Sequence, residues 1–240
     1  MQGPPLVLVH GGFSNHITNW EWVLPAFLKH YTVYAMARRG RGANPATEGH
    51  SLHDEIQDAL SVIEAAGQPV HLLGHSYGAH VALGAALAAP HHIRKLVLYE
   101  PPWPHVHKEA MATLEALAAA GDWDAFAHTF FATVLHVPEE ELQGLRKTAD
   151  WKPIVNDAPA TLHDLRALAN YQFEAAHCST LNLPVLLQTG SLSPPNLYVT
   201  DALLAALPQV TIGTLEGQAH EGMTTAPQQY ADAVIAFLNN

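Results

Sequence analysis

A chain of 240 residues, 48% hydrophobic and 14% charged, has the composition of a folded protein and the length of one large α/β domain or two small ones. Its formal net charge of −11 argues against a nucleic-acid partner, because phosphate binding requires a basic surface. The single cysteine excludes an internal disulfide, and we see neither a signal peptide nor an apolar run long enough to cross a membrane, so we expect a cytoplasmic protein.

Six short apolar runs are predicted to form strands. They lie at residues 6–9, 31–35, 70–73, 96–99, 185–189 and 210–215. Continuous apolar runs of this kind are typical of a parallel sheet covered on both faces. Helical patterns separate them: one begins with a capping box at Ser51 and Asp54, and the last has Pro227 in its first turn. The alternation predicts a doubly wound, mostly parallel α/β sheet of about six strands.

Residues 103–183 interrupt this alternation. They contain four helical patterns and no convincing strand, with a further capping-box pattern at Thr161 and Asp164. We therefore expect a helical insertion that covers one end of the sheet as a lid. Residues 1–102 and 184–240 would form the core of the same structural domain.

The sequence GHSYG at residues 74–78 is the strongest candidate for a catalytic motif. It follows a predicted strand and begins a predicted helix, and in that setting G-x-S-x-G forms a tight turn that exposes the serine above the sheet. Gly74 and Gly78 are needed because side chains there would collide with the neighbouring strand and helix. Ser76 is therefore the candidate nucleophile, and the alternative is an ordinary turn whose serine caps a helix.

Two other segments supply what a nucleophilic serine needs. HGG at residues 10–12 follows the first strand, and its turn would present a backbone N–H to a substrate oxygen together with the N–H of Tyr77. Gly12 is the predicted donor, with Phe13 as the alternative. The base is expected late in the chain, and His220 lies in a loop between the last strand and the last helix.

These motifs resemble those of the α/β-hydrolase superfamily, in particular serine esterases with a helical lid. The similar segments are HGG at 10–12, RRGRG at 38–42, GHSYG at 74–78, LVLYEPP at 96–102 and GQAH at 217–220, in the order of the family. The resemblance implies a nucleophile–histidine–acid triad. The chain differs from the family in that the antiparallel hairpin that usually precedes HGG is missing, so we expect about six strands rather than eight.

The acid is absent from the place that the family usually gives it. After the predicted strand at 185–189 the chain reads QTGSLSPPN, and no carboxylate occurs between Glu174 and Asp201. Some members of the superfamily carry the acid one strand earlier, where Glu100 follows the strand at 96–99. We therefore predict Glu100 as the acid that orients the histidine. The alternatives are a purely structural role for Glu100 at the start of the lid, or a serine–histidine dyad.

The expected reaction is hydrolysis of a small or medium carboxylic ester through an acyl-enzyme, without a cofactor. The predicted pocket wall consists of aromatic residues, most of which should pack the core of the insertion while one or two touch substrate: Phe13, Trp103, Phe126, Phe130, Trp151 and Tyr171. Histidine pairs at 91–92 and at positions 105 and 107 are not expected to form a functional metal site. The only expected partner is a small-molecule substrate, and the chain is expected to be a monomer or homodimer.

Two alternatives stay open. A C–C bond hydrolase or a thioesterase of the same fold would carry the same serine and histidine. A catalytically weak or inactive ligand-binding protein is the alternative from another class, and the absence of an acid from its usual place favours it.

Overall fold

A computed structural model describes residues 3–42, 44, 49–104 and 106–240. The strands are β1 (Pro5–Val9), β2 (Thr32–Met36), β3 (Val70–His75), β4 (Ile93–Tyr99), β5 (Val185–Gly190) and β6 (Val210–Leu215). All neighbouring strands are parallel, in the order β2-β1-β3-β4-β5-β6. The predicted six-stranded α/β sheet is therefore confirmed. His105, one of the histidines considered as a metal ligand, lies outside the described residues.

Helices follow the strands on both faces of the sheet. They are α1 (Leu24–Phe27), α2 (Leu52–Ala65), α3 (Tyr77–Ala88), α4 (Lys108–Ala119), α5 (Trp123–Thr133), α6 (Glu139–Leu145), α7 (Trp151–Ala169), α8 (Thr200–Ala206), α9 (Gly222–Thr225) and α10 (Pro227–Asn239). Short 3₁₀ turns lie at Pro90–His92, Ala175–Thr180 and Pro195–Leu197. The capping box at Ser51 and Asp54 begins α2, and Pro227 begins α10, as the sequence predicts.

Burial of both sheet faces explains the continuous apolar strands. Along β1, Val7 and Val9 pack with residues of α2 and α3, whereas Leu6 and Leu8 pack with residues of α1 and α10. Successive side chains of a strand point to opposite faces, so both sets must be apolar when helices cover both faces. The carboxyl ends of the strands meet at one edge, and the sequence motifs follow those ends.

Helices α4 to α7 lie between β4 and β5, in the region predicted to be all helical, and share a hydrophobic cluster that also contains Phe13. The capping box predicted at Thr161 and Asp164 is wrong, because α7 begins at Trp151 and continues through Pro159. Both residues lie in the interior of that helix. Within the described residues, no helix is long and apolar enough to cross a membrane.

Candidate active site

Ser76 lies in a strained turn between β3 and α3. Its backbone has φ 54° and ψ −123°, outside the regions that residues with side chains usually adopt. A Cβ atom at Gly74 would lie 2.4 Å from the carbonyl oxygen of Gly78, and one at Gly78 would lie 2.3 Å from that of Val9. The two glycines are therefore required by close backbone packing, as predicted. The Ser76 N–H donates to the Tyr99 carbonyl over 2.8 Å, which ties the turn to β4.

The Glu100 carboxylate contacts the His220 imidazole. Its Oε2 lies 2.7 Å from His220 Nδ1, while Oε1 accepts hydrogen bonds from the Gly190 N–H at 2.7 Å and the Thr189 hydroxyl at 3.1 Å. A carboxylate can only accept, so Nδ1 carries the proton. Nε2 of a neutral His220 is then left with a lone pair that can take a proton from a hydroxyl.

Burial and pairing set the protonation of this couple. Burial acts to raise the pKa of Glu100, but the hydrogen bond and positive charge of His220, together with Ser193 and the Gly190 N–H, outweigh it and hold that pKa below its ordinary value. Burial acts to lower the pKa of His220, but the Glu100 carboxylate raises it above the ordinary value. The pair therefore stabilises an imidazolium next to a carboxylate, which is the state that proton transfer to the histidine creates.

Aromatic residues hold the His220 ring and its loop. The Tyr198 ring stacks on the imidazole with centroids 5.3 Å apart, and the His75 ring lies 4.7 Å away. His75 Nε2 donates to the His220 carbonyl over 3.1 Å, and the Tyr99 hydroxyl donates a short hydrogen bond to the Ala219 carbonyl. Burial lowers the pKa of His75 well below its ordinary value, so this ring is neutral. Sequence reasoning missed these supporting contacts and assigned His75 no role.

Ser76 and His220 line the same cavity, which has a volume of about 160 Å³. Among the described residues, the non-glycine residues with positive φ are Phe13, Ser76, Glu100 and His136. Ser76 and His136 line the cavity, Phe13 follows the lining residue Gly12, and Glu100 contacts His220. Backbone strain costs about 1–3 kcal/mol per residue and concentrates at sites where the surrounding structure must fix a geometry. The strained residues therefore mark the cavity as the candidate functional site.

The two predicted oxyanion donors, Gly12 and Tyr77, belong to the same cavity as the serine. In the part of the chain that the structure describes, no backbone or side-chain acceptor binds the Gly12 N–H, and the first turn of a helix leaves the Tyr77 N–H without an i−4 partner. The N–H of Phe13, the alternative donor, is bound to Thr161 Oγ1 at 2.8 Å. The geometry therefore favours Gly12 over Phe13.

The predicted aromatic wall is corrected in part. Trp103 and Phe130 line the cavity. Phe126 and Trp151 are buried in the cluster formed by the helices of the insertion, and Tyr171 packs against the ring of His80 with centroids 5.5 Å apart. The prediction that these three residues line the cavity is therefore wrong. Phe126 and Trp151 pack the core of the insertion, which was the alternative considered, whereas Tyr171 packs against the core of the sheet.

Phe13 also packs in that cluster rather than in the cavity wall, against Phe130 with ring centroids 4.8 Å apart. Aliphatic residues complete the apolar part of the wall, and sequence reasoning did not identify them: Val106, Ala110, Val134, Leu135, Leu165, Leu168 and Leu197. They are scattered over the insertion and the loop after β5, so no local motif marks them. Only the general expectation of an apolar lid surface could have pointed to them.

Two clusters of histidine and carboxylate groups have ligand atoms within 4.8 Å of one another among the described residues, and neither is suited to a metal ion. In the first, His75 Nε2 donates to a backbone carbonyl. In the second, Glu55 and Asp164 are already paired with the guanidinium of Arg38. A guanidinium beside a cation would repel it.

Comparison with known proteins reveals similarity over nearly the whole chain. The profile of a family described as "Alpha/beta hydrolase family" matches residues 6–233. A pimeloyl-[acyl-carrier protein] methyl ester esterase from Methylococcus capsulatus is 31% identical over 179 residues, which are 70% of this chain and 68% of that protein. An (E)-2-((N-methylformamido)methylene)succinate hydrolase from Acinetobacter baylyi is 25% identical over 243 residues, covering 99% and 91%. The crystal structure of an alpha/beta hydrolase from Sphaerobacter thermophilus matches with a TM-score of 0.86 and 28% identity, covering 99% and 93%.

Proposed function

This chain belongs to the alpha/beta hydrolase family, and from that premise we propose that it is a serine hydrolase that cleaves a small or medium carboxylic ester. The observation that carries the proposal is the 2.7 Å contact between Glu100 and His220 Nδ1 beside a cavity that also contains Ser76. It supports a nucleophile, a base and an acid in one place, with the acid one strand earlier than usual.

In the proposed reaction Ser76 Oγ attacks the ester carbonyl while its proton moves to His220 Nε2. The negative oxygen of the tetrahedral intermediate accepts hydrogen bonds from the Gly12 and Tyr77 N–H groups. The C–O bond to the alcohol then breaks, and the alcohol leaves with the proton from His220. Water attacks the acyl-enzyme after giving a proton to His220, and the carboxylic acid departs as Ser76 regains its hydrogen.

The cavity supports the size and polarity of the proposed substrate. Its volume of about 160 Å³ is below the roughly 300–1,000 Å³ of pockets for drug-sized ligands. Trp103, Phe130 and Leu165 are among the apolar side chains that line it. A short or medium acyl group would fit this surface and lose contact with water.

The proposal is tested with a fluorophosphonate probe and with p-nitrophenyl esters of two to eight acyl carbons. We expect wild-type protein to be labelled and to hydrolyse the shorter esters. Ser76→Ala should abolish labelling and lower kcat by a factor of about 10⁴ or more, because the nucleophile is removed. Circular dichroism of the variant serves as the folding control. Absence of labelling and turnover in the folded wild-type protein would contradict the proposal and favour a ligand-binding role.

Two substrate series separate the proposed esterase from enzymes of the same fold. Acyl thioesters of matching chain length test for a thioesterase, and vinylogous diketones test for a C–C bond hydrolase. We expect kcat/KM for the esters to exceed that for both other series. A preference for either of the others would keep the nucleophile but reject the ester as the substrate class.

A further inference from the structure

Side chains hold both peptides of Gly12, the one that contains its N–H and the one that follows. Because a peptide is planar, the direction of the Gly12 N–H is fixed by the direction of the Gly11 carbonyl in the same peptide. Arg38 Nη1 donates to that carbonyl over 3.0 Å, and His10 Nδ1 donates to it over 2.8 Å. The next peptide is held through the Phe13 N–H, which donates to Thr161 Oγ1 over 2.8 Å.

Arg38 is itself positioned by two buried carboxylates. Its guanidinium lies 2.6 Å from Glu55 and 2.5 Å from Asp164, and Arg41 lies 2.6 Å from the other oxygen of Asp164. All four side chains are at most 3% exposed. Burial acts to raise the pKa of Glu55, but the charge of Arg38 and hydrogen bonds from His50 and Arg38 lower it to about 2, so Glu55 faces the guanidinium as a carboxylate.

Thr161 and Asp164 approach Gly12 from one turn of α7. A Cβ atom at Gly12 would lie 3.2 Å from Thr161 Cγ2 and 3.7 Å from Asp164 Oδ2. Residues three apart on a helix share a face, so the same face of α7 supplies both contacts. This face binds the turn after β1 across more than a hundred residues of sequence.

We propose that Thr161 and Asp164 are positioning residues for the oxyanion donor at Gly12. This inference rests on the proposed function. Thr161 holds the peptide that follows Gly12. Asp164, together with Glu55, holds Arg38, one of the two donors to the carbonyl of the peptide that contains the Gly12 N–H. Neither residue supplies a proton or a nucleophile. Their effect is on the direction of one N–H group, which matters most when the carbonyl oxygen becomes negative.

The test is a pair of substitutions at one position. Thr161→Val keeps the shape of the side chain and removes the hydroxyl, whereas Thr161→Ser keeps the hydroxyl. We expect kcat for a p-nitrophenyl ester to fall about 10- to 100-fold in T161V, with KM changed less than threefold, because misplacement of a catalytic group mainly weakens transition-state binding. T161S should recover kcat to within about threefold of wild type.

A transition-state analogue supplies a readout that a purely structural role would not move. In T161V, affinity for an aryl boronic acid, which forms a tetrahedral adduct with the serine, should fall by the same factor as kcat/KM. Affinity for the uncleaved anilide analogue of the ester should stay unchanged. Wild-type kcat and boronic acid affinity in T161V would overturn the inference. Equal losses for boronic acid and anilide would also overturn it, because they would indicate general damage to the pocket.

Asp164→Asn provides a second perturbation of the same donor, with Arg39→Gln as its control. D164N should lower kcat in the same way and lower Tm, because it leaves a buried guanidinium without its full countercharge. Arg39 belongs to the same basic stretch but pairs with the partly exposed Asp58, so R39Q should not change kcat. Failure of wild type to turn over any ester would reject the proposed function. Turnover by wild type with undiminished kcat in T161V would reject only this inference.

Discussion

Replacing Glu100 by glutamine tests the proposed acid with the smallest possible change of shape. In the structure Oε1 of Glu100 accepts from Gly190 and Thr189, and Oε2 accepts from His220 Nδ1. The glutamine carbonyl can keep the first two hydrogen bonds, so its NH₂ group faces the imidazole. Nδ1 must then accept a hydrogen bond, and the ring proton moves to Nε2, the nitrogen that should receive the proton of Ser76.

The expected loss in Glu100→Gln follows from this wrong tautomer. We expect kcat/KM to fall by about 10³–10⁴, which corresponds to about 4–5 kcal/mol of transition-state stabilisation. The assay is steady-state hydrolysis of a p-nitrophenyl ester at pH 8, after active protein has been corrected for folding by circular dichroism. A matched control is Glu216→Gln, the same chemical change at an exposed residue four positions before His220, which should leave kcat/KM within twofold. A comparable rate in E100Q and E216Q would refute the assignment of Glu100.

Two further predictions concern the base and the cavity wall. Because Glu100 raises the pKa of His220 and the base must be neutral, kcat/KM of the wild type should increase with pH around a pKa above 6.5. In E100Q, burial still lowers the pKa of His220 but the carboxylate no longer raises it, so the increase should occur at a pH below 6.5. An increase at the same pH in both proteins would contradict the pairing. Phe130→Ala should raise KM about tenfold, because Phe130 lines the cavity. Phe126→Ala, in the same helix but fully buried, should lower the free energy of unfolding by about 3–5 kcal/mol with little change in KM. Ester kinetics and urea denaturation of both variants measure the two quantities.

The strands and the serine turn could be predicted because their signals are local. A strand buried on both faces must be apolar at every position, and a tight strand–helix turn must have glycine where an added Cβ would lie within 2.4 Å of another backbone atom. Even so, β4 begins at Ile93, three residues before the predicted strand. The prediction missed these residues because Arg94 and Lys95 interrupt the apolar run, at the end of the strand that is least buried.

The contacts around Arg38 could not be predicted because they join distant parts of the chain. Arg38 and Arg41 belong to a basic stretch that resembles a surface cluster in the sequence, yet both are almost completely buried. Their partner Asp164 lies more than a hundred residues away, in a helix that the predicted capping box would begin at Thr161 but that begins at Trp151 and contains Pro159. Proline removes one hydrogen bond from a helix, but α7 continues through it because the buried face of the helix packs on both sides of that position.

The position of Glu100 has a physical explanation in the pairing of β4 with β5. Tyr99 is the register partner of Gln188, so Glu100, the next residue, lies beside the end of β5, where the family usually has its acid. In this chain that end supplies the Gly190 N–H and the Thr189 hydroxyl, which donate to the carboxylate from the neighbouring strand. Two donors to one oxygen stabilise the ionised form and leave the other oxygen for His220. The proposed acid therefore reaches the His220 imidazole from the neighbouring strand, because the end of β5 offers hydrogen-bond donors in place of a carboxylate.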